Sequence, residues 1–293
     1  MSLKLRAISV VATAILLAAC ASTAPVATTP APTIERSAAH DNLDATLWMQ
    51  SAAEHDAALL GTYALARQQL DAALADARWD ALPDGERKIA AAGLPPAIIT
   101  DADETAIDNS AFQARRIADT SGGGFQYEQW LGWVSERRAR ALPGALAFFQ
   151  YAAEQGVTVY YVTNRDDPVE RAATLDNLRA LGFPVAADGS NLMLRNDPRA
   201  PGREKGTRRG WIGERHRVLL MLGDNLGDFL DGIGGDVAAR QALVERNRAR
   251  WGVQWIMLPN PAYGSWESAV FKGCGERAQT DPTGCKRAAL RVQ

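Results

Sequence analysis

The sequence predicts an α/β fold, a Rossmann-like parallel sheet in three layers with helices on both faces. Three apolar runs carry that prediction, at residues 97–100, 157–162 and 218–223. Each is rich in apolar residues, stops at polar groups, and is separated from the next by helical pattern, as βαβ units require. The second observation is what stands at those stops. The first run ends in Asp101, with Asp103 two residues on; the second in Thr163 and Asn164; the third in Asp224 and Asp228. Polar groups of complementary chemistry at the carboxyl ends of parallel strands describe one ligand-binding crevice. Composition agrees: 293 residues, 47 % hydrophobic with a formal net charge of −2, suffice for one sizeable core. No basic stripe points to a nucleic-acid polymer as partner.

At the N-terminus, Lys4 and Arg6 precede an apolar run over residues 7–19, too short to span a bilayer and remain there. It closes on Leu17, Ala18, Ala19 and Cys20, which resembles a bacterial lipobox. In that reading residues 1–19 are a signal peptide, Cys20 is lipidated, and Ala21 suggests the outer membrane, facing the periplasm. The other reading is simple secretion with Cys20 incidental. Residues 20–40, rich in Ala, Thr and Pro without periodicity, read as a flexible tether. Residues 41–293 then form a single catalytic domain.

Residues 41–77 predict one amphipathic helix, with Leu59, Tyr63, Ala66, Leu70 and Leu74 on a stripe that covers the core. A second role has Trp48 or Glu54 reaching the substrate. The run at 97–100 is a buried strand, and beyond it the turn aims Asp101 and Asp103 into one crevice. Two carboxylates there repel, so a metal ion or a proton is needed between them. As a plain local feature, Asp103 or Thr105 would instead cap the helix that follows. After Gly156 comes the second strand, and Asp167 with Pro168 reads as the N-cap and first turn of the next helix. Thr163 and Asn164 thus sit in a strand-to-helix turn, where hydroxyl, amide and backbone N–H groups hold phosphate oxygens. Lys205 reads either as a loop charge in a run of Arg and Gly or as the cation facing a phosphoryl group. Gly223 and Gly227 let the backbone turn tightly beside Asp224 and Asp228. Cys274 and Cys285 are the pair left for an oxidising compartment, and a disulfide between them is expected in preference to a metal site or free thiols.

The four segments resemble the four motifs of the haloacid dehalogenase superfamily of phosphotransferases. The strings from Gly223 to Phe229 and from Pro259 to Glu267 resemble, more narrowly, the bacterial class C acid phosphatases. These are membrane-anchored lipoproteins that remove phosphate from nucleoside monophosphates and related esters. Ala102 and Thr100 depart from the larger apolar residues expected before each acid, which concerns packing rather than the reacting groups.

The resemblance implies a phosphoric monoester hydrolase, an acid phosphatase of 5′-nucleotidase type. Asp101 is the nucleophile that becomes a phosphoaspartate, and Asp103 the general acid and base. Thr163 and Lys205 bind the phosphoryl oxygens, and Asn164 and Arg165 contact the phosphate or the cap. The implied cofactor is Mg²⁺, held by Asp101, the Asp103 carbonyl and Asp224, with Asp228 in or behind that shell. An insert at about 109–142 becomes a mainly helical cap that selects substrate. Trp130 and Trp133, with Tyr263 opposite, either stack on a nucleobase or pack the cap against the core. A dehalogenase would need neither Asp103 nor Asp224. A non-catalytic, ligand-binding surface lipoprotein on this scaffold would lack one or more of Asp101, Asp103, Thr163, Lys205 and Asp224, and all five are present.

Overall fold

The computed structural model describes residues 40–119 and 124–292. The expected signal peptide, Cys20, the expected tether up to residue 39 and part of the glycine run at 122–124 therefore lie outside the described residues. Residues 40–292 form one compact unit.

The N-terminal helical stretch is two helices, not one: α1 (Leu43–Ser51) and α2 (Ala53–Ala75). They part at Ala52, whose backbone is extended (φ −80°, ψ 122°). No proline or glycine marks that break. Then come β1 (Pro96–Thr100), β2 (Ile107–Asp108), α3 (Ser110–Ala118), α4 (Tyr127–Glu136), β3 (Arg140–Ala141), α5 (Ala145–Glu154) and β4 (Thr158–Asp166). The second half holds α6 (Arg171–Leu181), β5 (Leu192–Arg195), α7 (Gly206–Gly213), β6 (Arg217–Gly223), α8 (Val237–Arg246) and β7 (Trp255–Met257). It ends in α9 (Ser265–Lys272), α10 (Arg277–Thr280) and α11 (Pro282–Ala288). The second strand is followed by helix only from Arg171, so Asp167 and Pro168 belong to a turn and Glu170 is the N-cap. None of the helices among the described residues is long and apolar enough to cross a membrane.

Five strands form a parallel sheet in the order β5-β4-β1-β6-β7. Side chains alternate across it, so each strand feeds two cores. Ile98, Leu220 and Leu222 join Leu59, Tyr63 and Leu70 of α2 and Phe148 and Phe149 of α5 on one face. Ala97, Ile99, Val218 and Met221 join Ile212 of α7, Phe229 and Trp255 on the other. These are the three layers. Along α2 the buried positions 59, 63, 66, 70 and 73 advance by four and three, the stripe of a helix laid on a sheet. Burying each Leu of that stripe stabilises the fold by roughly 1.5–3 kcal/mol.

The register sets the site. Pairing of β1 ends with Thr100 opposite Tyr161 of β4 and Leu222 of β6. Asp101 and Asp224 therefore leave the sheet at one level on its carboxyl edge, whereas β4 runs on to Asp166, so Thr163 and Asn164 lie within the strand and not in the turn expected for them. β2 and β3 pair antiparallel as a short stem, and α3 and α4 lie between them in the chain. Beyond the strands, Cys274 and Cys285 are disulfide-bonded. Lys286 of α11 reaches Glu267 of α9 (2.7 Å) and Asp41 (3.4 Å), and Thr283 donates to Asp41 (2.9 Å).

Candidate active site

Asp101 is buried, and one of its oxygens lies 2.5 Å from Lys205 Nζ. The same ammonium is 2.6 Å from Asp228 Oδ1. Lys205 is 4 % exposed, standing at the start of α7 rather than in solvent, so the reading of it as a loop charge is corrected. Asp228 is fixed from behind: its second oxygen accepts from Asn225 N (2.8 Å), while the Asn225 side chain accepts from Gly227 N. Gly223 makes the approach possible, because a Cβ there would overlap the Asp228 carboxylate. Asp224 accepts from Asn260 Nδ2 at 2.9 Å. One oxygen from each of Asp101, Asp224 and Asp228 lies within 4.8 Å of the others.

Asp103 lines the same cavity and has partners of its own. Arg165 grips its carboxylate with Nε at 3.1 Å from both oxygens and Nη2 at 2.7 Å from Oδ1. Asn109 Nδ2 adds a fourth contact at 2.8 Å, and Thr163 Oγ1 lies 3.4 Å from Oδ2. Arg165 is 3 % exposed and also donates to Thr174, with its guanidinium 5.3 Å from the Trp130 ring. Arg165 thus joins Asp103 to Trp130 of α4.

The charges are out of balance. Burial pushes the Asp101 carboxyl up to about 7; Lys205 pulls against that, and the Asp228 and Asp103 carboxylates add to it. Asp224 is raised well above the ordinary range by burial first, then by Asp228 and Asp101. Burial alone would lower Lys205, but Asp101 and Asp228 outweigh it and hold the ammonium charged. One lysine thus stands among two buried carboxylates and a half-buried third. A hard cation among Asp101, Asp224 and Asp228 would restore the balance, and an all-oxygen donor set fits such an ion.

These groups line a cavity of about 700 Å³ that also takes in Asn164, Trp130 and Tyr263. Its outer wall carries Phe112, Phe125 and Tyr127. Trp130 is half-buried and donates through Nε1 to Glu170 (2.5 Å). Trp133 is not in the wall: it is 4 % exposed and donates to Asn109 Oδ1 at 2.7 Å. Its large apolar ring belongs to the core that also holds Phe112 and Phe148, so packing, and not stacking on a base, is the role its position gives it. Trp48 meets His55 edge-on and Glu54 is exposed, and neither lines the cavity. Thr105 makes no cap; its carbonyl accepts from the Tyr63 hydroxyl.

Several residues at the site were not singled out from the sequence. Glu104 is 1 % exposed with a left-handed backbone (φ 52°), and accepts from Asn109 N and the Tyr263 hydroxyl. Arg208 is wholly buried and ties the Thr163 carbonyl (2.6 Å) and Asn164 Oδ1 (2.8 Å) to the Arg203 carbonyl (3.0 Å). Helical spacing held the signal, since position 208 shares a face with Lys205 three residues before it.

Residues 21–266 match the family model of the HAD superfamily, subfamily IIIB (acid phosphatase). The chain belongs to that family. Among solved structures, the class C acid phosphatase from Bacillus anthracis is similar at 32 % identity and a TM-score of 0.72, over 86 % of this chain and 97 % of that one. A second structure of it, with tungstate bound, matches at 33 % identity with the same score and coverage. Family and fold together make this protein a phosphoric monoester hydrolase, and an acid phosphatase in particular.

Proposed function

We propose that the enzyme hydrolyses phosphomonoesters, nucleoside monophosphates among them, through a phosphoaspartyl intermediate on Asp101. The observation that carries this reading is the Asp101 carboxylate, held by Lys205 at the carboxyl edge of β1 with a second acid, Asp103, beside it. Asp101 attacks phosphorus in line, the ester P–O bond breaks, and Asp103 gives its proton to the leaving oxygen. Water then attacks phosphorus, Asp103 takes up a proton, the bond to Asp101 breaks, and orthophosphate leaves. Lys205 aligns Asp101 and, with the Thr163 hydroxyl, holds the equatorial oxygens. Catalysis of this kind is mainly positioning and electrostatics. Asn164, on the cavity wall, is a further phosphate contact.

Asp101, Asp224 and the Asp103 carbonyl would hold Mg²⁺, with Asp228 sharing or steadying it. The ion, when bound, neutralises charge on the transferring phosphoryl group. Tungstate binding by the Bacillus anthracis enzyme supports an oxyanion site in this one, since tungstate has the tetrahedral shape of phosphate. Trp130 and Tyr263 in the cavity wall support a flat, aromatic leaving group. From the sequence alone we propose lipidation at Cys20 after removal of residues 1–19, and tethering at the outer membrane facing the periplasm.

The test is phosphate release from AMP and p-nitrophenyl phosphate, with Mg²⁺ and with EDTA, by protein lacking its first 20 residues. Turnover of both that EDTA abolishes and Mg²⁺ restores is expected. Full activity in EDTA would refute the metal assignment, and turnover of p-nitrophenyl phosphate without AMP would remove nucleoside monophosphates from the substrates.

A further inference from the structure

Asn109 stands at the junction of the core and the cap. It is the last residue before α3, wholly buried, and every polar atom of its side chain is engaged. Its Nδ2 donates to Asp103 Oδ1 at 2.8 Å and to Glu104 Oε2 at 3.3 Å. Its Oδ1 accepts from Trp133 Nε1 at 2.7 Å and from Arg165 Nη2 at 3.4 Å. Two of the partners fix the amide's orientation: an indole N–H and a guanidinium can only donate, so Oδ1 must face them and Nδ2 is left to the carboxyl oxygens. Glu104 is itself tied down by the backbone N–H of Asn109 and by the Tyr263 hydroxyl. Asp103 is thus held from two sides, by the Arg165 fork and by an amide that cannot rotate.

We propose that Asn109, locked by Trp133 of α4, is a positioning residue that sets the angle at which Asp103 presents its proton to the leaving group. The inference rests on the reading of Asp103 as general acid. It gives Trp133 a task no stacking role would: its N–H transmits the seating of the cap to the acid. An apolar residue at position 109 would leave the buried Glu104 and the half-buried Asp103 each short of a donor and free Asp103 to turn about the Arg165 fork.

The leaving group distinguishes positioning from mere packing. An alkyl phosphate needs its departing oxygen protonated, whereas p-nitrophenolate leaves well without help. The measurement is kcat/KM, which reports the first transfer, for glycerol phosphate and p-nitrophenyl phosphate in wild type, Asn109→Ala, Trp133→Phe and Asp103→Asn with Mg²⁺. Asp103→Asn should lose about a hundredfold or more on the alkyl ester and far less on the aryl ester. Asn109→Ala should show the same bias at about tenfold, the scale of one hydrogen bond to a charged group. Trp133→Phe, which keeps the ring and removes only the donor, should show it in weaker form, and it decides the matter alone if Asn109→Ala does not fold. Equal losses on both esters in the Asn109 and Trp133 variants, with the bias intact in Asp103→Asn, overturn the positioning role and leave the acid assignment standing. No bias in Asp103→Asn overturns the acid assignment and the inference with it.

Discussion

Replacing Lys205 by Met removes one positive charge and leaves the shape of the side chain nearly unchanged. The ammonium lies 2.5 Å from Asp101 and 2.6 Å from Asp228, and it is 4 % exposed. At an effective dielectric of about 20, each such contact is worth roughly 6 kcal/mol of Coulomb energy. Most of that offsets the desolvation of three ions. What remains after the change is uncompensated buried charge, a loss of about 3–5 kcal/mol. The loss depends on pH because Asp101, pushed up to about 7, takes a proton well before an ordinary carboxylate does. A carboxyl whose folded pKa is raised binds its proton more tightly in the fold, so stability falls as pH rises from the unfolded value through the folded one. Without Lys205 the folded carboxyl is raised further, so the fall continues to higher pH. Urea unfolding in EDTA should therefore show the full deficit near about pH 8.5 and a smaller one, about 1–2 kcal/mol, near about pH 5. A deficit equal at both values, or below about 1 kcal/mol at the higher, would refute the electrostatic account of the site.

Further outcomes follow from the same geometry. Mg²⁺ at about a hundred times its dissociation constant should stabilise the wild type by about 2.7 kcal/mol, and Asp224→Asn should abolish that gain; a gain that survives would move the ion elsewhere. Trp130→Ala should raise KM for AMP about tenfold or more relative to glycerol phosphate, the scale of one stacked base, and an unchanged ratio removes Trp130 from base recognition. Asp197 is buried, and although burial works against its charged form, hydrogen bonds from Arg199 and Arg171 hold its carboxyl below the usual range. Its folded pKa being depressed, its contribution is present above the unfolded value and lost as pH falls through the folded one. Asp197→Asn should accordingly cost about 3 kcal/mol at neutral pH, with the gap from wild type closing in acid; a gap constant with pH would contradict this.

The strand ends were legible because two signals coincide there, an apolar run of period two and a polar stop. β5 and β7 escaped notice at four and three residues, too short for any periodicity to emerge. The division at Ala52 left no trace either, since alanine is the best helix former and the break is set by packing α1 and α2 on different neighbours. At the site, acids at strand ends announced themselves, but their supports did not. Arg208 and Arg209 sit in a run that looks solvated, and both are wholly buried by contacts from distant segments. Trp133 looked like a binding ring because composition shows an aromatic and not which way it faces. Asn109 looked like the first residue of an insert, and its four partners come from positions 103, 104, 133 and 165.

The C-terminal tail bears on where this enzyme can be cut. The family match stops at residue 266, an inviting place to end a shortened version. Yet Glu267, the next residue, belongs to the cavity wall and is held by Lys286, and Cys285 is wholly buried in its bond to Cys274. Ending the chain at the family boundary would strip α9 of most of its turns and take from Asp41, near the start of the domain, its contacts with Lys286 and Thr283. The family model and the contacts of the folded chain therefore end at different residues. A shortened enzyme that keeps its activity would have to run through α11.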